Sequence, residues 1–407
     1  MGIRTTTCCI VGGGPAGVLL AYLLSSRGIK TTLLEAHKDF NREFRGDTFH
    51  ASSIEVIDQL GLMPQLESLL QAKIPHLGMT TVSGRSLVMG DFSKMKSPFP
   101  FVGVVPQSEF LDMMVKEANA HKSFELEMEA RAKELIEDEG AICGVRYQKE
   151  GNMHEIHADL VVGADGRASK IRRVAGLELM PGDAPPMDVV WFKIPRQPED
   201  AQIIEGVEIR IGQGEMLVLV NRGNEWQGGL VIMKKGFSAL RKGGIEGLHK
   251  TLRYLLPQAF QGREKIIENW KQVSVLSVQV GRLDRWYKKG LLLIGDAAHV
   301  MSPIGGVGIN YAMQDAVATA NCLFQPLLDR TLTERDLKAV QERRKVPTIV
   351  MQKIQAVIQN KIIKAALNAG QEFSMPWPMR LIGSVPGLNH LPARMLAYGL
   401  RPERVIK

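Results

Sequence analysis

Residues 5–35 read TTTCCIVGGGPAGVLLAYLLSSRGIKTTLLE, and this stretch decides the fold. Residues 5–11 are β-branched and apolar, which predicts a strand, and residues 15–27 are helix formers. Residues 30–34 are apolar again and lead into Glu35, which predicts a second strand. A strand, a glycine turn, a helix and a strand in this order form one βαβ unit of a doubly wound sheet.

The glycine turn matches the pattern G-x-G-x-x-G over residues 12–17. In such a turn Gly12 permits the sharp bend, Gly14 lets a pyrophosphate approach the backbone, and Gly17 lets the helix pack on the strand. The helix N-terminus then presents N–H groups to phosphate oxygens. Glu35 is placed to accept hydrogen bonds from both ribose hydroxyls of an adenosine, which favours FAD or NAD over NADP. A tight turn without a ligand is the alternative, and the absence of Gly-Lys-Ser/Thr excludes a Walker loop.

A second glycine-rich loop, GDAAHVMSPIGGVGIN, occupies residues 295–310 between a predicted strand at 290–294 and a predicted helix from about Gly308. Asp296 at the end of a strand can hold the polyol of a ribityl chain, and the glycines let a planar ring lie against bare backbone. The following helix N-terminus favours negative charge on that ring, as in a reduced flavin. The alternative is an N-cap aspartate followed by an ordinary loop.

A third loop, VVGADGRAS, occupies residues 161–169. It lies between a predicted strand at 158–164 and a predicted helix at 168–175. Asp165 and Gly166 suit a ligand-binding turn at the end of a strand. A plain turn in which Ser169 caps the helix explains the same residues locally, so both interpretations stay open.

The three loops together resemble those of the class A flavoprotein monooxygenases, the para-hydroxybenzoate hydroxylase-like group that includes ubiquinone-pathway and polyketide hydroxylases. The signatures stand in the family order, and the resemblance covers residues 1–345. It implies that FAD is the cofactor and that Glu35 holds its adenosine ribose. The residues it assigns to the FAD pyrophosphate turn are Gly12, Gly14, Ala16 and Gly17.

The resemblance also assigns FAD-binding roles along the rest of the chain. Arg45 reaches the adenosine and pyrophosphate, and Gln107 contacts FAD. Asp165 touches both FAD and the incoming nicotinamide, whereas Asp296 binds the ribityl chain and pyrophosphate. The residues that would line the isoalloxazine are Pro303, Gly306, Gly308, Ile309 and Asn310.

The implied reaction needs no second nucleotide-binding domain, and the chain has no second G-x-G-x-x-G fingerprint. In this family NAD(P)H reduces the flavin from a surface groove, and the reduced flavin reacts with O2 to a C4a-hydroperoxide that hydroxylates the substrate. No protein nucleophile or catalytic base is predicted. His299 lies next to the predicted ring-binding loop, where a structural role and a proton-transfer role both stay open.

The predicted architecture is α/β, with a Rossmann-type FAD-binding domain, an inserted, mostly antiparallel β-sheet domain and a helical C-terminal segment. The FAD-binding domain is assigned to residues 1–75, 101–185 and 286–345. The substrate-binding sheet is assigned to 76–100 and 186–285, with strands at 187–194, 207–211, 216–220, 229–233 and 273–280. The pattern turns helical after Pro347, and residues 346–407 are assigned to the C-terminal segment.

The composition of the 407 residues restricts the setting. The four cysteines form no C-x-x-C pair, which favours a reduced, cytoplasmic environment. No metal site is predicted, because His154 and His157 have no cysteine partners nearby. No basic motif interleaved with aromatic residues is present, which argues against nucleic acid as a partner.

The inserted sheet is apolar, which predicts an aromatic or lipophilic substrate held by few polar anchors. The net charge is +8, and residues 350–407 contribute eight basic against two acidic residues. This basic segment also carries Trp377, Leu381, Ile382 and Leu396. It motivates the hypothesis of a peripheral membrane contact that delivers a lipophilic substrate.

Three other functions compete with a monooxygenase. A reductase of the geranylgeranyl reductase type shares the fold and would saturate a double bond without consuming O2. A flavin-binding protein without turnover would retain FAD but would not be reduced by NAD(P)H. An interaction module without a cofactor would leave the three loops unexplained.

Overall fold

The first part of the chain alternates strands and helices, and the second part contains most of a separate antiparallel sheet. The structure is a computed structural model that describes residues 4–41, 46–183, 185–204, 206–212, 214–368 and 390–406. The elements up to residue 174 are β1 (Arg4–Val11), α1 (Pro15–Ser25), β2 (Thr31–Leu34), β3 (Thr48–Phe49), α2 (Ala51–Gln59), α3 (Met63–Leu69), β4 (Ala72–Ile74), β5 (His76–Thr81), β6 (Ser86–Asp91), β7 (Val102–Val104), α4 (Gln107–Ala118), β8 (Phe124–Glu127), β9 (Arg131–Asp138), β10 (Ala141–Lys149), β11 (Asn152–Gly163) and α5 (Lys170–Val174).

The second part continues with β12 (Met180–Pro181), β13 (Met187–Pro195), β14 (Val207–Ile211), β15 (Met216–Asn221), β16 (Glu225–Met233), α6 (Phe237–Lys242), α7 (Gly244–Leu255), β17 (Ser274–Leu276), β18 (Gly281–Arg282), β19 (Tyr287–Lys288), β20 (Leu291–Leu293), β21 (His299–Val300), α8 (Gly308–Leu328), α9 (Glu334–Ile358), a π-helical turn (Gln359–Ile363), α10 (Lys364–Ala366) and α11 (His390–Tyr398). Short 3₁₀ turns cover Pro198–Gln202, Gln258–Phe260, Arg263–Ile266, Trp270–Gln272, Gly295–Ala297 and Ile304–Gly306.

The first sheet has a parallel centre in the order β20-β11-β1-β2-β8. Strand β1 is apolar because both neighbours are parallel strands and its centre is fully buried, as at Cys8 and Cys9. Burial raises the pKa of the Cys9 thiol to about 12 and raises the pKa of the Cys8 thiol well above its ordinary value, so neither thiol is a nucleophile at neutral pH. Helix α1 is apolar on nearly all sides because it packs between this sheet and α8.

Strands β9, β10 and β11 extend this sheet as an antiparallel meander that sequence analysis did not predict. The two tight turns of the meander are Glu139–Gly140 and Glu150–Gly151. All four residues have positive φ, which matches the twist of a two-residue hairpin.

The second sheet has seven strands in the order β17-β13-β16-β15-β14-β5-β6. All pairs are antiparallel except β14 with β5. The strand predicted at 273–280 pairs only over Ser274–Leu276. Pairing ends there because the backbone of Val278 instead binds the side chains of Asp188 and Lys234.

The two faces of the seven-stranded sheet have different cover. The outer face packs Val190, Phe192 and Leu230 against α7. The inner face packs Val189 and Val231 against the helical turn around residues 362–367 and against the loop residue Ile304. The inner face of this sheet therefore lies opposite the glycine-rich loop at 295–310.

Sequence analysis predicted that the pattern turns helical after Pro347. Helix α9 in fact begins at Glu334, well before that residue. Its start is fixed by a capping box in which the backbone N–H and hydroxyl of Thr333 donate to Asp336 Oδ2 at 2.8 and 2.7 Å. Pro347 lies inside this helix, and so does position 346, where the C-terminal segment was predicted to begin.

The structure gives no support to the hypothesis that the C-terminal segment contacts a membrane. Trp377, Leu381 and Ile382 lie outside the described residues. Leu396 on α11 packs inward against Gly305 and the core around Met301. Within the described residues, no helix has the length and apolar character needed to cross a bilayer.

Candidate functional site

Four loops with the predicted ligand-binding residues follow four adjacent parallel strands. Gly12 follows β1, Glu35 follows β2, Asp165 follows β11, and Asp296 follows β20. Because the carboxyl ends of parallel strands meet at one edge of a sheet, these loops converge outside that edge. The backbone joins them directly, since Gly12 N donates to Leu34 O and Ala164 N donates to Val11 O, both at 2.8 Å.

The first glycine turn is crowded at Gly12, Gly13 and Gly17 and open at Gly14. Gly12 has a φ of 109°, and a Cβ there would lie 2.5 Å from Ala164 O. A Cβ on Gly17 would collide with Gly12 O. A Cβ on Gly14 would meet nothing within 4 Å, so this backbone faces open space. The turn therefore requires glycine at Gly12 and Gly17, where a Cβ would meet backbone, and leaves room for a ligand at Gly14.

The N-terminus of α1 fits a phosphate group. The backbone N–H groups of Gly14, Ala16 and Gly17 donate to no acceptor among the described residues. No side chain caps this helix, and Pro15 has no N–H to satisfy. Three unpaired donors at the positive end of a helix dipole suit an anionic ligand, and their role in phosphate binding stays a prediction.

Glu35 is buried beside this turn, with 2% of its surface exposed. Its Oε2 accepts a hydrogen bond from Gly13 N at 2.8 Å, and its Oε1 accepts one from His37 N at 2.9 Å. Carboxylate oxygens can accept further bonds, so this arrangement is compatible with the predicted ribose contact. It also shows that Glu35 orders the glycine turn.

Asp165 makes the local contacts that the turn-and-cap interpretation predicts. Its Oδ2 accepts from Lys170 N at 2.6 Å and Ile171 N at 3.0 Å, and its Oδ1 accepts from the Ser169 hydroxyl. Ser169 Oγ in turn accepts from Arg172 N at 2.9 Å. Both residues therefore cap α5, and a contact of Asp165 with FAD or nicotinamide stays a prediction.

Asp296 projects from the short turn after β20, and 28% of its side chain is exposed. Arg167 Nε lies 3.7 Å from its carboxylate. Arg172 braces the same turn by donating to Ala297 O at 3.0 Å and to Arg167 O at 2.8 Å. Through these two bonds the guanidinium of Arg172 connects the loop at 161–169 to the loop at 295–310. Burial lowers the pKa of Arg172.

The glycine-rich loop is held by contacts to β3. Gly305 and Gly306 have positive φ values of 74° and 62°, and a Cβ on Gly306 would collide with Thr48 Oγ1. Asn310 donates to Thr48 O at 3.0 Å and Gly306 O at 3.1 Å. The carboxamide of Asn310 therefore fixes the loop, and its place against the isoalloxazine stays a prediction.

The other predicted loop residues differ in their surroundings. A Cβ on Gly308 would meet nothing within 4 Å, and no side chain caps α8, which begins at this residue. Ile309 is 8% exposed and packs into the main core. Pro303 precedes the 3₁₀ turn Ile304–Gly306 as its N-cap.

Gln107 is at the start of α4, next to Asp47. Its backbone N–H donates to Asp47 Oδ1 at 3.1 Å, and its side chain donates to Gly46 O at 3.3 Å. Asp47 also forms an ion pair with Arg222 of the seven-stranded sheet. Gln107 therefore lies where the two sheets meet. Arg45, which was predicted to reach the adenosine and pyrophosphate, lies outside the described residues.

A buried ionic group behind the glycine-rich loop was missed by sequence analysis. Asp315 on α8 is fully buried and receives His299 Nε2 at 2.6 Å, Arg344 Nε at 2.8 Å and Gly295 N at 3.0 Å. His299 is 1% exposed, and its Nδ1 has no hydrogen-bond partner among the described residues. Its contacts favour the structural role. The available signal was a lone aspartate in an apolar helix, which requires a buried partner.

His50 connects the glycine-rich loop to α11. Its backbone N–H donates to Asn310 Oδ1 at 2.8 Å, and its ring lies within hydrogen-bonding range of the carbonyls of Leu396 and Gly305. Burial lowers its pKa to about 4, although the two carbonyls oppose this shift. The imidazole is therefore neutral at physiological pH.

We predict that His50 makes the protein acid-sensitive. An unfolded histidine has a pKa of about 6.5, so the unfolded state binds a proton that the folded state refuses between about pH 6.5 and pH 4. Stability should fall across this interval as pH decreases, by about 3 kcal/mol at most. Urea unfolding of His50→Asn should show a flatter pH dependence than the parent protein. His157→Asn on β11 is the control, and an unchanged slope in His50→Asn contradicts the prediction.

The inner face of the seven-stranded sheet is an apolar wall opposite these loops. It includes partly exposed side chains from five strands, together with Ile304 from the glycine-rich loop. The five strand residues that are partly exposed are Met89, Trp191, Ile209, Val218 and Leu276. The wall offers an aromatic or aliphatic ligand a surface next to the loop predicted to hold the flavin.

Comparison with known proteins gives matches over most of the chain. The family model described as "FAD binding domain" matches residues 4–354. The 6-methylpretetramide 4-monooxygenase of Streptomyces rimosus is 32% identical over 404 residues, which cover 98% of this chain and 94% of the relative. Digeranylgeranylglycerophospholipid reductase 1 of Methanopyrus kandleri is 27% identical over 75% of this chain and 76% of its own.

One solved structure illustrates the likeness in fold. The p-nitrophenol 4-monooxygenase of Pseudomonas putida DLL-E4 superposes with a TM-score of 0.78, covering 98% of this chain and 100% of the other. Sequence identity is 17%, so this likeness establishes the fold alone.

Proposed function

Because this chain belongs to the FAD-binding domain family and is an FAD-dependent monooxygenase of class A, we propose that it hydroxylates an aromatic compound of largely apolar surface. NAD(P)H is the reductant and O2 the oxygen source. The observation that carries the substrate class is the apolar inner face of the seven-stranded sheet, which meets Ile304 of the glycine-rich loop. The relative that acts on 6-methylpretetramide supports an aromatic substrate.

The proposed FAD site uses all four loops at the strand ends. The unpaired N–H groups at Gly14, Ala16 and Gly17 bind the pyrophosphate, and Glu35 binds the adenosine ribose. Asp296 binds the ribityl chain, and Asp165, Gln107 and the backbone around Gly306 and Gly308 complete the site. Bound FAD supplies the redox chemistry, taking hydride from NAD(P)H and activating O2.

The protein's own part in the reaction is to bind, orient and exclude water. We assign no protein nucleophile or catalytic base, because the proposed chemistry is carried by the cofactor. The apolar wall keeps water from the reacting centre. We assign residues 76–100 and 186–285 to substrate binding, because β5, β6 and β13–β17 form one sheet, and residues 1–75, 101–185 and 286–345 to FAD binding.

A second candidate is reduction of a carbon–carbon double bond. It is supported by the likeness to a digeranylgeranylglycerophospholipid reductase over three quarters of the chain and by the same apolar wall, which suits an isoprenoid. The two functions differ in their use of O2. An oxygenase transfers one oxygen atom to its product, and a reductase adds two hydrogens.

We expect the purified protein to retain FAD and to oxidise NADH or NADPH faster when an aromatic substrate is present. The experiment supplies ¹⁸O₂ with a panel of phenols and polycyclic aromatic compounds, and measures nicotinamide oxidation and product mass. One ¹⁸O atom in the product establishes the oxygenase. A saturated product formed without O2 establishes the reductase, and FAD that NAD(P)H never reduces indicates a protein without turnover. A protein that binds no FAD contradicts the whole proposal.

A further inference from the structure

Gln227 on β16 is a buried polar residue on the apolar wall. Side chains alternate along a strand, and Trp226, Gly228 and Leu230 lie on the side of α7. Gln227 therefore shares the inner face with Gly229 and Val231. It is only 7% exposed.

The carboxamide of Gln227 makes no hydrogen bond to any described residue, which distinguishes it from the other buried carboxamides. Those in the described part of the chain are all bonded: Asn221, Asn310, Gln314, Gln341, Gln352, Gln355 and Gln359. The residue is buried as a whole, yet neither polar atom of its carboxamide is fully enclosed, so a ligand can reach both. Gln227 thus has donor and acceptor capacity that the protein itself does not use.

Gln227 and its neighbours lie at one end of the apolar wall. We take this wall as one side of the proposed substrate pocket. The strand register places it between Lys193 and Val220 and diagonal to Trp191. The ring of Trp191 lies over Gly229, where a Cβ would approach it to 2.7 Å. An aromatic surface therefore adjoins the carboxamide on the same face.

The charges at this end of the pocket are already paired. Lys193 Nζ lies 2.7 Å from Glu225 Oε1, and Arg222 pairs with Asp47. Among the described residues here, Arg222 Nε also has no hydrogen-bond partner, and the carboxamide of Gln227 is the neutral group that stays unbonded. Such a group suits an uncharged hydroxyl or carbonyl rather than a carboxylate or phosphate.

We propose that Gln227 binds an oxygen substituent of the substrate and thereby selects which ring position faces the flavin loop. The inference rests on the proposed aromatic hydroxylation and specifies its substrate class as neutral aromatic compounds with a hydroxyl or keto group. The carboxamide donates to a keto oxygen or accepts from a phenolic hydroxyl. The aromatic ring lies against Trp191 and Val218.

The experiment compares two probes of nearly equal shape, 2-naphthol and 2-methylnaphthalene, binding to the FAD-loaded protein in calorimetry. The parent protein should prefer 2-naphthol by about 3- to 10-fold, as one hydrogen bond provides. In Gln227→Met, which keeps the length of the side chain, this preference should disappear. Affinity for 2-methylnaphthalene should stay the same or rise.

Two controls separate ligand binding from a structural role. Gln148→Met on β10, remote from the pocket, should keep the preference of the parent protein. The Tm of Gln227→Met should be unchanged or higher, because an unbonded carboxamide contributes nothing that methionine removes.

The outcomes distinguish this inference from the proposed function. A preference for 2-naphthol that survives in Gln227→Met contradicts the role of Gln227 and leaves aromatic hydroxylation standing. A marked loss of Tm also contradicts it, because the carboxamide would then serve the fold. A parent protein that binds neither probe contradicts the aromatic pocket itself, and the inference falls with it.

Discussion

Replacing Glu35 by alanine will weaken FAD binding by roughly 5- to 150-fold, measured by equilibrium dialysis of the purified protein. The range corresponds to about 1–3 kcal/mol, the cost of leaving buried polar groups unpaired. This variant removes the acceptor of the adenosine ribose of the proposed cofactor, and also that of Gly13 N and His37 N, which donate to Glu35 at 2.8 and 2.9 Å. The loss therefore affects both the ligand and the turn that binds it.

The Glu35 prediction has a matched control in another buried glutamate. Glu264 is fully buried, and it accepts from Gly262 N at 2.7 Å and Arg253 Nε at 3.0 Å beside the second sheet. Glu264→Ala should lower stability and leave FAD affinity unchanged. Glu35→Gln retains one carbonyl acceptor and should lose less affinity than Glu35→Ala. Equal FAD affinity in Glu35→Ala and the parent protein counts against the ribose contact.

The sequence predicted those parts of the fold that short stretches of chain determine. The first βαβ unit follows from residues 5–35, because strand, turn and helix each depend on neighbours close in sequence. Gly12, Glu35, Asp165 and Asp296 could be located at strand ends for the same reason. The topology then brings these ends together, since parallel strands share an edge.

The sequence could not show which of two uses a polar residue serves. Asp165 suits a cofactor contact and a helix cap equally well, and only the structure shows the bonds to Lys170 N and Ile171 N. Pairings between distant residues were also out of reach. His50 meets Leu396 from 346 residues away, and Asp315 meets Arg344 across a turn between two helices.

Gln227 and Asn310 also show that sequence alone could not tell which polar side chain is available to a ligand. Both are buried carboxamides, and the sequence assigned a ligand role only to Asn310. In the structure the carboxamide of Asn310 forms hydrogen bonds with Thr48, Gly306 and His50. The carboxamide of Gln227 forms no hydrogen bond with any described residue. Whether a polar side chain is available to a ligand depends on its three-dimensional neighbours, which no local motif records.

Replacing Asp315 by asparagine will lower the free energy of unfolding by about 3 kcal/mol, because the buried Arg344 loses its nearest carboxylate and keeps only Glu403, 3.9 Å away. The same change weakens the acceptor for Gly295 N and for His299. Gly295 directly precedes Asp296, so the proposed ribityl contact loses its support. We expect FAD affinity to fall at least about fivefold, measured by the same dialysis.

The Asp315 effect should depend on pH with a defined sign. Burial alone would raise the pKa of Asp315, but His299 and Arg344 outweigh it and hold the pKa below the ordinary value of 3.8. A carboxylate with a lowered folded pKa stabilises the protein above its unfolded pKa, and this contribution is lost as pH falls through the folded value. The stability difference between the parent protein and Asp315→Asn should therefore be constant from neutral pH down to about 4 and shrink below it.

A second buried ion pair provides the control for Asp315. Asp200 is 1% exposed and binds Arg263 Nη2 at 2.8 Å and Trp226 Nε1 at 2.8 Å in the second sheet. Asp200→Asn should destabilise the protein to a similar degree but leave FAD affinity as it is. If both variants lose stability and neither loses FAD affinity, Asp315 serves the fold alone. A loss of FAD affinity confined to Asp315→Asn shows that the buried charge behind the loop positions the cofactor-binding turn.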